Sequence, residues 1–187
     1  MQIETDRLIL RPFRDADRLV SAQIFADPEV RRFALGTLDT EAANARLDQA
    51  IAEHDERGFG QLAVEDRRDG SLIGMLGITT FGAVLKAAIP SHPDLQIVWQ
   101  LARPVWGQGL ATEGALAVLD YAWTVLGATE VVAITAAINV PSRRVMVKIG
   151  MHYEPADDFP HPQIPVSHPL KPHVLYRISR SSPSMRG

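Results

Sequence analysis

The chain contains no cysteine. That excludes a disulfide framework, a thiolate zinc site and a thiol nucleophile. It also lacks any long apolar run. No stretch approaches the ~20 apolar residues that span a bilayer, and the longest, 131–138, is interrupted by Thr135. A charge excess is missing too: 19 Lys+Arg stand against 22 Asp+Glu, for a net charge of −3. This balance weighs against a nucleic-acid binder, which needs a basic face to neutralise phosphates. The first 14 residues alternate charged and apolar side chains. They lack the basic start and apolar core of a secretion signal. The expectation is a cytoplasmic chain with neither membrane nor nucleic acid among its partners.

What is present describes one soluble domain. The 187 residues are 46% hydrophobic and 22% charged, ordinary values for a globular protein. We assign 1–180 to a single domain and expect 181–187 to fray. Residues 7–13 read as a strand with Leu8, Leu10 and Pro12 on one face. Asp15 is placed to cap a helix whose apolar stripe is Leu19, Val20, Ile24 and Phe25. A second helix is expected over 40–57, with Ala43, Leu47, Ala50, Ile51 and His54 on one face and Gly58 as its stop. Strands follow at 61–67 and 72–81, joined at the Asp69-Gly70 turn. Then come a loop at 82–94, a strand at 95–102, a glycine-rich turn and a helix to Leu126. A strand at 130–138, a short helix at 141–149 and short strands at 151–154 and 173–179 complete the series. The segment 155–172 is rich in Pro and His. The order is not a uniform strand–helix alternation, so it predicts one mixed sheet flanked by helices, an α/β (α+β) class. The crossover 95–138 makes its two strands parallel.

The richest passage is Leu101-Ala102-Arg103-Pro104-Val105-Trp106-Gly107-Gln108-Gly109-Leu110-Ala111-Thr112-Glu113. It lies between a strand and a helix. Its glycines let the backbone bend and expose N–H groups, and the helix N-terminus adds donors and a partial positive charge. Together these suit a pyrophosphate; the alternative is a tight turn with close helix–strand packing. The passage lacks the Gly-Lys-Ser/Thr of a nucleotide P-loop and the third glycine of a dinucleotide fingerprint.

Three separated segments together resemble the GNAT superfamily of N-acetyltransferases, and within it the ribosomal-protein N-terminal acetyltransferases. Thr5-Asp6-Arg7-Leu8-Ile9-Leu10-Arg11-Pro12-Phe13 is similar to that subgroup's opening strand. Trp106-Gly107-Gln108-Gly109-Leu110-Ala111-Thr112-Glu113 is similar to its pyrophosphate loop. Asn139-Val140-Pro141-Ser142-Arg143-Arg144-Val145-Met146-Val147-Lys148-Ile149-Gly150-Met151 is similar to its second cofactor motif. The likeness runs from about Thr5 to Tyr176, with matching order and spacing. It implies a single domain whose mostly antiparallel sheet has two splayed central parallel strands. It also implies acetyl-CoA as cosubstrate, with no metal, and direct acetyl transfer to an amine. The pantetheine arm would pair with strand 95–102, as an added strand does. Leu101, Ala102, Trp106, Gly107, Gln108, Gly109, Leu110, Ala111, Thr112, Asn139, Ser142 and Arg144 would contact the cofactor. Trp106 departs from the Arg or Gln often found first in the loop, a change the binding backbone tolerates.

For the reaction, a backbone N–H near Leu101 or Ala102 would stabilise the oxyanion. The resemblance makes Ser142 the proton donor to the leaving thiolate; a helix cap is its other role. The superfamily's tyrosine is absent, since Val145, Met146 and Val147 occupy that stretch. Asn139 is expected at the pantetheine or as a cap, and Arg143 and Arg144 at phosphates or as exposed helix charges. The subgroup often has Glu, a general base, at the position of Gln96. Asp94 is the candidate substitute, with His92, His161, His168 and His173 as further candidates. Glu113 reads as an acid suited to the helix dipole. Trp99 and Trp106 either line the cleft or pack. The acceptor is a small-molecule amine or a protein N-terminus. Its walls are 33–38, 82–94 and 155–172, and Asp94, Asp157 and Asp158 favour a cationic one. A homodimer is among the admissible assemblies. The competing reading is an acyl-CoA-binding protein with lost catalysis, acting as a regulatory or interaction module.

Overall fold

The computed structural model describes residues 2–180; the expected frayed tail, 181–187, lies outside them. The chain opens with β1 (Ile3–Glu4) and β2 (Leu8–Arg11), then a 3-10 turn at Asp15–Asp17 and α1 (Arg18–Ala26). Helix α2 (Thr40–Arg57) is followed by β3 (Gln61–Asp66), β4 (Leu72–Thr80), α3 (Ala83–Ala88) and β5 (Leu95–Leu101). Then come α4 (Leu110–Thr124), β6 (Glu130–Ala136), α5 (Val140–Lys148), β7 (His152–Tyr153), β8 (Phe159–Pro160) and β9 (Pro172–Ser179). The strands form one sheet in the order β1-β2-β3-β4-β5-β6-β9-β7, with β8 also on β9. Every pairing is antiparallel except β5 with β6. The expected mixed sheet and parallel crossover are therefore present. No helix among the described residues is long and apolar enough to cross a membrane.

Side chains alternate across the sheet, and each face has its own helices. Leu8, Leu10, Leu62, Leu76, Ile97, Leu101 and Val131 face Ala115, Val118, Leu119 and Ala122 of α4 and Met146 of α5. Trp99 packs against this core. Gly114 lets α4 approach the sheet, because a Cβ there would sit 2.9 Å from Leu76 Cδ1. On the other face, Ala63 and Met75 pack against Phe25 of α1 and Ala43, Leu47 and Ala50 of α2.

Three local expectations change. The 82–94 loop contains α3, which places Leu85, Ala88 and Ile89 against Phe81, Val132, Phe159 and Leu175. Leu19 is 71% exposed; the buried face of α1 is Ser21, Ala22, Ile24 and Phe25. Asp15 is not the cap. Asp17 accepts the Arg14 N–H at 2.7 Å and is itself buried, receiving both terminal nitrogens of Arg11 at 2.7 and 2.8 Å. Glu65 completes the pairing of Arg11. A buried guanidinium needs such partners to offset its lost hydration.

Candidate active site

Strand β5 pairs with β4 along its whole length, from Gly74 opposite Leu101 to Thr80 opposite Leu95. On its other side it meets β6 in a single register pair, Gln96 with Val132. Both strands continue, to Leu101 and Ala136. They diverge towards their C-terminal ends and leave an edge of β5 open. Ala102 N–H donates to Ile73 C=O at 2.8 Å and is committed to β4. Bonds alternate in direction along an antiparallel pair, so the neighbouring Leu101 N–H points into the opening. Of the two expected oxyanion donors, this geometry leaves Leu101 free. Its carbonyl is occupied, because the Trp106 indole N–H donates to it at 2.8 Å.

Helices α4 and α5 follow the diverging ends of β5 and β6, so both N-termini lie at the mouth of the opening. Gly107 and Gly109 take φ values of 76° and 80°, a left-handed backbone that disfavours other residues. A Cβ at Gly107 would meet nothing within 4 Å. Gly109 caps α4 without a side chain, leaving its first N–H groups available. At α5 the cap is Asn139, whose Oδ1 accepts the Ser142 N–H at 3.2 Å and whose Nδ2 donates to Thr135 Oγ1 at 2.8 Å. Ser142 is therefore the capped residue and not the cap.

Glu113 has a role the dipole argument missed. It accepts from Thr5 Oγ1 at 2.6 Å, Arg7 N–H at 2.9 Å and Arg7 Nε at 2.6 Å. Arg7 Nη1 also donates to Gln108 C=O at 2.9 Å, so the start of the chain braces the loop from behind. Burial would raise the Glu113 carboxyl, but these bonds outweigh it and hold it below the usual carboxylate range. On the other side, the Arg32 guanidinium lies 5.1 Å from the Trp106 ring centre and 4.9 Å from that of Phe33.

The remaining expected residues separate. Arg144 is exposed on α5. Arg143 turns inward, donating to Ala137 C=O at 3.1 Å and to the Tyr176 hydroxyl at 3.2 Å. Asp94 lies at the closed end of the β5–β6 pair, 89% exposed and paired with Lys86 at 2.6 Å. Its distance from the opening and its cationic partner make it a poor base. His92 is exposed, with Nδ1 3.1 Å from Lys86 C=O. His168 Nδ1 accepts the Leu170 N–H at 3.1 Å. His161 and His173 meet with ring centres 4.7 Å apart and ring planes tilted by 46°, and His173 stands opposite Ala136 at the open end of β6. Burial first, then His161, lowers the His173 pKa to about 4. Among the described residues no three His, Asp or Glu side chains gather around a metal-sized space.

All three expected acceptor walls reach the sheet face opposite α4. Phe33 packs with Ala136, Ile164 and Leu170, while α3 supplies Leu85 and Ala88 nearby. Gln100 joins this face, donating to Val30 C=O at 3.3 Å. The three acids, however, are tied up. Asp94 has Lys86, Asp157 has Arg177 and Asp158 accepts from Tyr153 Oη at 2.7 Å. They no longer argue for a cationic acceptor.

The model of the acetyltransferase (GNAT) domain matches residues 7–152. The chain belongs to the GNAT acetyltransferase family. YkkB of Bacillus subtilis is 31% identical over 155 residues, covering 81% of this chain and 86% of that protein. The FsC-acetyl coenzyme A-N(2)-transacetylase of Aspergillus fumigatus is 29% identical over 158 residues, covering 80% of this chain and 64% of that protein. The RimJ structure of Mycobacterium smegmatis, a complex with CoA-disulfide, superposes with a TM-score of 0.71 at 22% identity. That match covers 92% of this chain and 81% of that one, and shows a shared fold. This GNAT protein is thus an acetyltransferase of a family that uses acetyl-CoA.

Proposed function

We propose that the protein moves the acetyl group of acetyl-CoA directly to an amine, either of a small molecule or of a protein N-terminus. The observation that carries this reading is the single β5–β6 register pair with two helix N-termini at its open end. An unpaired strand edge fits the amide-bearing pantetheine arm. Exposed N–H groups from Gly107 to Thr112 fit its pyrophosphate. Trp106, Gly107, Gln108, Gly109, Leu110, Ala111 and Thr112 hold that end, and Leu101 and Asn139 hold the arm. Arg144, exposed on α5, adds charge to the phosphates. Acetyl-CoA supplies the activated thioester.

Leu101 N–H donates to the carbonyl oxygen as negative charge develops there. The Ser142 hydroxyl, next to the α5 cap, donates the proton that the leaving sulfur requires and regains one, through water, from the nitrogen that has attacked. The chain has no cysteine for a covalent acyl intermediate, so holding the two reactants together supplies much of the acceleration. Gln96 cannot take a proton, and Asp94 is paired elsewhere. The amine therefore reacts as the free base present in solution, and kcat/KM rises with pH along the acceptor's own ionisation.

Calorimetric titration with acetyl-CoA, followed by a turnover screen over amines, tests the reading. Saturable 1:1 binding with turnover supports it. Binding without turnover on any amine favours the non-catalytic acyl-CoA-binding module. Failure of a folded sample to bind acetyl-CoA overturns the cofactor assignment.

A further inference from the structure

Several arginines of this fold are matched to acids where burial or bracing makes the pairing count. Buried Arg11 has Asp17 and Glu65, and half-exposed Arg7 has Glu113. Arg143, also partly buried, has no acid but donates to both the Ala137 carbonyl and the Tyr176 hydroxyl; two other partly buried arginines are served less well. Arg31 lies between α1 and α2, and Arg46 lies on α2. Neither forms an ion pair with any carboxylate among the described residues. Arg46 reaches the sheet. Its Nη2 is 3.4 Å from Gln61 Oε1 and 3.8 Å from the Met75 sulfur, and its guanidinium is 5.3 Å from the centre of the Phe25 ring. Its Nε is fully buried and has no hydrogen-bond partner. Arg31 has one backbone contact, donating from Nε to Gly36 C=O at 3.0 Å.

These cations are costly as they stand. Both are pushed towards the neutral form by burial, and Arg46 also by the nearby charge of Arg31. Two like charges drawn together out of water with no counter-charge destabilise the fold. Their position gives that cost a use. Met75 stands opposite Gln100 in the β4–β5 pair. Gln100 in turn ties the segment before Arg31 to β5 through Val30. The guanidiniums thus border the same sheet face as Phe33 and Gln100, one strand from the open edge of β5. Of the acids once expected to attract a cation, Asp94 and Asp157 are paired with Lys86 and Arg177, and Asp158 accepts a hydrogen bond from Tyr153.

We propose that Arg31 and Arg46 receive a carboxylate of the acceptor, so that the substrate is an amine that also carries a carboxylate. This rests on the amine-acetylation reading. A carboxylate accepts from guanidinium nitrogens along two lone-pair directions and would satisfy the orphaned cations. It would also hold the amine end towards β5. The carboxylate comes either from a free amino acid or from an acidic side chain near a peptide N-terminus.

The test is calorimetric titration, with CoA present and absent, of matched ligands that differ in charge. Leucine, phenylalanine and methionine are compared with their amides, and tripeptide amides starting with Asp or Glu are compared with Asn or Gln counterparts. Binding of the carboxylate member should be about 10- to 100-fold tighter, the range of a charge-assisted hydrogen bond. Arg31→Met and Arg46→Met should each erase most of that preference while leaving CoA affinity unchanged. Preference among the free amino acids identifies one source, and preference among the tripeptides the other. Arg46→Met should leave the melting temperature equal or higher, because it removes an uncompensated charge and keeps an apolar stem. Equal binding of acids and amides, binding of neither, or a preference that survives both substitutions overturns the proposal. Failure of the acetyltransferase reading appears separately, as absent acetyl-CoA binding or absent turnover.

Discussion

At the residue scale, two changes separate binding from chemistry. Gly109 sits at φ 80°, with only Arg7 Nη2, at 3.7 Å, near the place a Cβ would occupy. Gly109→Asp should keep the fold, since a short polar side chain tolerates this backbone better than most. Its carboxylate would face the pyrophosphate, so acetyl-CoA binding should be lost; unchanged affinity by calorimetry would contradict the site. Ser142→Ala should lower kcat more than acetyl-CoA affinity, because the cap uses the backbone N–H of Ser142 and not its hydroxyl. Equal losses in both quantities would assign Ser142 a binding role. The glycine turn and the start of α5 were legible from sequence because their motifs are contiguous. The commitment of Ala102 N–H to Ile73 was not, because its partner lies in another strand.

At the element scale, the pyrophosphate loop depends on a strand far from it in sequence. Thr5 and Arg7 reach Glu113 at the start of α4, and Arg7 also reaches Gln108. Glu113→Gln keeps the shape and removes the charge that pairs Arg7. Acetyl-CoA affinity should fall several-fold with little loss of thermal stability, because Arg7 is half exposed. A stability loss with intact affinity would instead make Glu113 a purely structural brace. Sequence alone assigned Glu113 to the helix dipole, since helix position predicts that interaction and says nothing of a contact 106 residues away. The helix α3 was missed for a related reason. Its six residues are too few to show a helical period, and the packing of Leu85 and Ala88 on the sheet holds them.

At the scale of the whole molecule, buried ionisable groups set how stability follows pH. Unfolded, His173 takes its proton near pH 6.5; folded, near about 4. Below pH 6.5 the unfolded chain binds more protons, so this contribution is complete above pH 6.5 and is lost as pH falls towards 4. His161 shifts in the same direction, by burial and then the Lys171 charge. Thermal melts should show declining stability across that window, and His173→Asn should flatten it; an unchanged slope would remove His173 as the cause. The Arg11–Asp17 pair works differently. Asp17→Ala should destabilise by about 3 kcal/mol, because Arg11 would keep its charge at a site only 5% exposed. Chemical denaturation measures that loss directly, and a loss below about 1 kcal/mol would show that Glu65 alone suffices to pair Arg11.

By itself the sequence determined what is local and periodic. Strand and helix order, the glycine turn between β5 and α4, and the single parallel crossover all follow from hydrophobic period, turn residues and the handedness of connections. It also excluded thiol chemistry outright, through composition. The tertiary structure decided which groups are free and which are taken. Asp94, Asp157 and Asp158 found partners, Ala102 found Ile73, and Arg31 and Arg46 found no acid among the described residues. Pairing depends on distances between elements that lie far apart along the chain, and neither period nor motif spacing specifies those distances.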